Sequence, residues 1–211
     1  MTTRNFNRQP ISVAKVDAEL NAKLDAECNA RMTTKPTAKP MFQKSVSRTS
    51  PPCVPIIIDT RERKPWSFTP ETDNATATSG TLSTGDYSVR GYETKICVER
   101  KSLLDWVGTI VHHQERFRKE ISRMKTYERS YIIIECTIND ICERKYEVDG
   151  VHRNIEPKRI IEMTLGIMDY YPHVQIIFAD DRYNGRCICR DILRQYWKTR
   201  EMAKENREAT L

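Results

Sequence analysis

Four short apolar runs most constrain what this chain can fold into: Ile56-Ile57-Ile58, Ile96-Cys97-Val98, Tyr131 to Cys136 and Val174 to Phe178. Each is strand-length, rich in branched side chains and free of polar alternation, the pattern of a strand covered on both faces. Between them lie segments with helical periodicity. Phe117, Ile121 and Met124, continued by Tyr127, form one buried stripe, with Arg116, Lys119 and Arg123 off it. Pro157 suits the first turn of a helix running to about Tyr170, with Ile160, Ile161, Thr164, Leu165 and Met168 expected on its buried side. The chain from about Asp181 reads as a last helix. Strands buried on both faces need helices on both faces, so the expected class is α/β, in a three-layer α/β/α sandwich. Pro65, Pro70 and the Thr/Ser/Asn-rich run to Gly80 read as loop, and Leu82–Val89 and Lys95–Arg100 as antiparallel neighbours joined around Gly91.

Residues 1 to 54 have a different character. Thr, Asn, Lys and Pro dominate, and large apolar groups are too few to offset ordering entropy, so a disordered basic tail is expected before a domain over 55–211. Nine Lys/Arg against four Asp/Glu precede Ile56, and 26 against 25 follow, so the domain itself is nearly neutral. A neutral domain that binds a polyanion must focus its positive groups in one cleft. Seven cysteines at scattered positions fit reduced thiols, and Cys187-Ile188-Cys189 has no second pair at zinc-site spacing. No run approaches the ~20 apolar residues of a membrane span, and the N-terminus lacks the apolar core of a signal peptide. The expectation is an unexported protein of the cytoplasm or nucleus, or of the host cell for a viral protein.

The chemistry gathers at the second apolar run. Ile96-Cys97-Val98 leads into Glu99-Arg100-Lys101, Asp105 follows four residues after Lys101, and Gly85-Asp86 lies upstream. Side chains alternate along a strand, so Cys97, Glu99 and Lys101 share one face, and Ile96, Val98 and Arg100 the other. Two carboxylates, Asp86 and Glu99, brought to a strand end can hold Mg²⁺ through oxygen ligands, with Lys101 placed to position water or steady phosphate charge. A solvated strand end is the plain alternative for the triplet. Asp105 stands three residues after Ser102, as in a capping box, so it serves a helix start, the site, or both.

Asp59-Thr60-Arg61-Glu62, Gly85-Asp86-Tyr87 and Val98-Glu99-Arg100-Lys101-Ser102-Leu103-Leu104-Asp105 together resemble the nuclease domain of the XPF/Hef family of structure-specific DNA endonucleases. Glu115-Arg116-Phe117 is similar to that family's arginine-containing segment, and Tyr131 to Glu135 to its next core strand. The resemblance covers roughly Pro55 to Arg200 and implies a restriction-endonuclease-like fold with a central mixed sheet. It implies catalytic roles for Asp59, Glu62, Asp86, Glu99, Arg100, Lys101 and Asp105. Metal ligation is expected from Asp86 and Glu99, with Asp59 beside them, and DNA contacts from Arg61, Arg63 and Arg116. The implied cofactor is Mg²⁺ or Mn²⁺, and the implied partner is branched or flap DNA met in repair, recombination or replication. Relatives usually carry a C-terminal tandem helix-hairpin-helix module; seven glycines with no Gly-x-Gly and none after Gly185 point to its absence here. Assembly then falls to the nuclease domain: a homodimer with Ile188, Ile192, Tyr196 and Trp197 of the last helix near the two-fold axis, or an unknown partner subunit. The alternative is a catalytically inactive DNA-binding module of the same fold, which would be expected to have lost acids or Lys101. A small-molecule phosphatase finds no phosphate loop and no Cys-x5-Arg.

Overall fold

The computed structural model describes residues 53–148 and 154–208. Apart from Cys53 and Val54, the expected tail lies outside them. Six strands form one sheet: β1 (Val54–Asp59), β2 (Ala75–Gly80), β3 (Tyr87–Val89), β4 (Ile96–Ser102), β5 (Arg129–Glu135) and β6 (Val174–Phe178), in the order β2-β1-β3-β4-β5-β6. β3 is antiparallel to both β1 and β4, whereas β1 with β2, and β4 with β5 and β6, are parallel pairs. The sheet is therefore mixed, and every strand but β3 ends at the same edge. β3 begins there. That single fact brings Asp59, Asp86, Glu99 and Glu135 to one rim.

The helices are α1 (Pro70–Asp73), α2 (Leu103–Val111), α3 (Gln114–Met124), α4 (Ile138–Cys142), α5 (Pro157–Tyr170) and α6 (Arg182–Glu208). Alternation along β5 separates two cores. Ile132 and Ile134 join Cys97, Val174 and Ile176 beneath Trp106, Phe117, Ile121 and Ile160, and Ile133 joins Ile56, Tyr87 and Val98 beneath Cys189 and Leu193. Helices thus cover both faces, as the uninterrupted apolar runs require. The expected α/β/α sandwich is present.

Three details differ from expectation. The Thr-rich run before Gly80 is not loop but β2, paired in register from Val54 with Ala75 to Asp59 with Gly80. It is an edge strand whose exposed positions need no large apolar groups, so composition disguised it. Only Tyr87–Val89 of the expected Leu82–Val89 strand is extended in the sheet; the residues before it form the turn that delivers Asp86. On α5, Ile160 and Thr164 are buried, but Leu165 and Met168 are 57% and 40% exposed. The Thr164 hydroxyl accepts the buried Trp106 Nε1–H at 3.1 Å and donates to the Ile160 carbonyl. A buried indole N–H needs an acceptor, and meeting that need sets the rotation of the helix.

α6 is fastened by a contact the sequence did not disclose. Buried Asp73 accepts bonds from the Thr69 N–H and Thr72 hydroxyl, and from Arg186 at 2.6 Å and Arg190 at 3.2 Å. Ile188, Ile192, Tyr196 and Trp197 pack, partly buried, on the second core. That stripe is engaged by the protein's own sheet. Among the described residues no helix is long and apolar enough to cross a membrane.

Candidate active site

The rim of the sheet opens into a cleft of about 970 Å³ between the segment after β1, the turn before β3, the end of β4, and helices α2 and α3. Gly85 makes the turn possible. Its φ is +79°, and a Cβ there would stand 3.0 Å from the Cβ of Cys97 and 3.1 Å from the Val98 carbonyl oxygen. Only glycine accepts that backbone at that distance. The turn then locks onto β4: the Asp86 N–H donates to the Val98 carbonyl, and Asp86 Oδ2 accepts the Arg100 N–H at 2.8 Å.

Glu99 and Lys101 project together from the other side of β4, as alternation demands, and Lys101 Nζ donates to Glu99 Oε1 at 2.6 Å. Burial pushes the Asp86 carboxyl up to about 6, against the Arg100 N–H bond, and the charge of Glu62 adds to the rise. Burial also raises Glu99 well above the carboxylate range. Its bond to Lys101 does not reverse this, because the Asp86 and Glu120 charges repel it as well. Burial opposes the charge on Lys101, yet Glu99 and Glu120 together hold its pKa above the usual value. Two carboxylates crowded in a desolvated place, with too little positive charge, are suited to a hard divalent cation. Among the described residues no three His, Cys, Asp or Glu side chains are grouped to hold an ion. A pair of carboxylates, with water and phosphate oxygens filling the other positions, matches the coordination Mg²⁺ prefers.

Arg100 leaves the strand on the opposite face. Its guanidinium donates to Glu135 at 2.9 Å and to Glu62 at 3.3 Å, and all three side chains are about nine-tenths buried. Glu135 also accepts from Trp66 Nε1 at 2.9 Å and Arg182 at 3.1 Å. Trp66 in turn stacks on Tyr87 at 4.8 Å. The triplet's arginine therefore ties the segment after β1, the end of β5 and the start of α6 into one network.

Asp59 is brought to the rim, but its oxygens are taken. Oδ1 accepts the Arg61 N–H and Nε, and Oδ2 accepts Arg61 Nη2 and the Leu82 N–H. Burial opposes ionisation of Asp59, and these bonds outweigh it, leaving the carboxyl below its usual range. A carboxylate this fully bonded is poorly placed to act as the third ligand expected of it. Ser102 caps α2 with the help of Asp105: the Asp105 N–H donates to Ser102 Oγ, and Asp105 Oδ2 accepts from that hydroxyl at 2.6 Å. Asp105 also lines the cleft. Arg61 is engaged with Asp59 and the Leu82 carbonyl, whereas Arg63 and Arg116 are exposed along the cleft wall.

Sequence reasoning missed Glu120, Lys64 and Arg123 as lining residues. Glu120 immediately precedes buried Ile121, at the margin of the α3 stripe, and nothing in the chain shows which margin faces the rim.

The ERCC4 domain matches residues 58–184, which takes in every one of these groups. XPF from Aeropyrum pernix has a similar fold, with a TM-score of 0.52 at 20% identity over 67% of this chain. The match spans less than two thirds of that chain's own length, 61%. No curated protein sequence matches. With more than half of its length inside the matched domain and the fold in common, the chain belongs to the ERCC4 domain family and carries an XPF-type nuclease domain.

Proposed function

We propose that this protein is an endodeoxyribonuclease, dependent on Mg²⁺ or Mn²⁺, that hydrolyses phosphodiester bonds in branched or flap DNA during repair, recombination or replication. The observation that carries this reading is the meeting of Asp86, Glu99 and Lys101 at one sheet rim, inside a cleft lined by arginines. Asp86 and Glu99 would hold the cation. When bound, it would polarise the scissile phosphate and lower the pKa of an attacking water. Lys101 orients that water or neutralises charge building on the phosphorus oxygens. Asp59 fixes Arg61, and Arg61, Arg63 and Arg116 receive backbone phosphates, which position the DNA without reading its sequence. Glu62 acts through Arg100, and Asp105 secures the start of α2 beside the reacting groups. The exposed apolar side chains of α5, rather than the α6 stripe, are the surface on which a homodimer is to be sought by light scattering.

The test is incubation of the full chain with labelled flap, fork, four-way-junction and plain duplex DNA, in Mg²⁺ and in EDTA. Cleavage of a branched substrate in Mg²⁺ that disappears in EDTA is expected. Robust cleavage in EDTA would exclude the two-carboxylate mechanism, and binding without cleavage in Mg²⁺, or in Mn²⁺ put in its place, would identify an inactive DNA-binding module.

A further inference from the structure

Among the described residues Lys101 has two carboxylates within ion-pair distance, and only one of them belongs to the metal pair. Its Nζ lies 2.6 Å from Glu99 Oε1 and 3.8 Å from Glu120 Oε1. Glu120 arrives from α3, across the cleft from β4. Its side chain is only 16% exposed, and its helix is pinned to the core by Phe117, Ile121 and Met124. It therefore approaches Lys101 from a rigid element and not from a loop.

The bond that Lys101 makes here uses an oxygen of Glu99, one of the two carboxylates to which a divalent cation is assigned. An ammonium and a divalent cation on one carboxylate repel each other, and the bond to Glu99 weakens once a metal is held there. An ammonium released from its partner on a four-carbon stem has many rotamers, and most of them point away from the reacting phosphate. Glu120 is the group that removes this freedom. We infer that Glu120 is a positioning residue for Lys101: it holds the ammonium in the cleft when Glu99 turns to the cation. The inference rests on the nuclease reading above.

Direct ligation by Glu120 is the competing role. Glu120 and Glu99 share the Lys101 ammonium, at 3.8 Å and 2.6 Å, and among the described residues no three acidic side chains are grouped to hold an ion. A positioning role also predicts a split in the kinetics. Glu120 is a negative charge in a DNA-facing cleft, so its neutralisation favours DNA binding while it frees Lys101.

The experiment compares wild type with Glu120→Gln in three measurements. Mn²⁺ affinity, read by electron paramagnetic resonance without DNA, should be unchanged. The ¹⁵N-detected ammonium signal of Lys101 should persist on adding Ca²⁺ to wild type and broaden or vanish in the variant. Cleavage should show kcat lowered by about 10- to 100-fold, the usual cost of losing a group that orients a reacting one, with KM for DNA unchanged or lower. Weaker Mn²⁺ binding in Glu120→Gln would make Glu120 a ligand. An unchanged Lys101 signal together with unchanged kcat would make it a bystander. Either result overturns the inference. An inactive wild type would instead defeat the nuclease reading, and the Mn²⁺ and ammonium measurements would still decide the role of Glu120.

Discussion

Asp86→Asn and Glu99→Gln are each expected to lower cleavage by more than about 10³-fold, since each removes several kcal/mol of charge stabilisation available only with the metal in place. DNA binding supported by Ca²⁺ should survive, because these side chains act on the reacting phosphate and not on the flanking ones. Neither variant should unfold at a lower temperature than wild type. Both carboxyls are raised by burial, Asp86 also by the charge of Glu62 and Glu99 by the charges of Asp86 and Glu120, so the folded protein carries them at a cost, and the amides keep the shape while removing the repulsion. Loss of activity with Tm held or raised is the combination that separates a catalytic site from a structural one. A variant that cleaves at the wild-type rate would remove its residue from the proposed pair.

Arg100→Ala should have the opposite profile, with its main effect on the folded state. The substitution leaves Glu62 and Glu135, both about nine-tenths buried, without their shared guanidinium. Removal of one partner from a buried ion pair costs about 3–5 kcal/mol, because the remaining charge is left uncompensated. The midpoint of urea unfolding should fall accordingly in metal-free buffer. Arg100→Lys should recover only part of the loss, since a lysine cannot present two parallel donors to one carboxylate while reaching another. Arg100→Met combined with Glu62→Gln and Glu135→Gln should regain most of it, by removing all three charges together. An Arg100→Ala protein as stable as wild type would mean that the network is ornamental and that Arg100 acts in the cleft.

The architecture was legible wherever burial is two-sided. The triplet of isoleucines in β5 can only be a covered strand, and the periodicity of Phe117, Ile121 and Met124 can only be a helix lying on it. β2 was illegible for the converse reason: at the sheet edge Thr and Ser suffice, and those residues also make loops. The facing of Arg100 away from Glu99 and Lys101 followed from strand alternation alone. Which carboxylates it meets did not follow, because Glu62 and Glu135 come from 38 and 35 residues away. Gly85-Asp86 was readable as an acid next to a glycine, but not the lock of Asp86 on the Arg100 N–H. Glu120 had no signal of its own. The rotation of α5 depended on one hydrogen bond, from Trp106 to Thr164, which no hydrophobic pattern encodes.

The central claim is that Asp86 and Glu99 form the metal pair and Asp59 does not. Titration of Mn²⁺ into the wild-type chain and into Asp86→Asn, Glu99→Gln and Asp59→Asn, followed by electron paramagnetic resonance, tests it without reference to any substrate. Saturable binding should be present in wild type, lost or greatly weakened in the first two variants, and retained in Asp59→Asn. Binding that persists without Asp86 or Glu99, or that disappears with Asp59→Asn alone, would contradict the assignment.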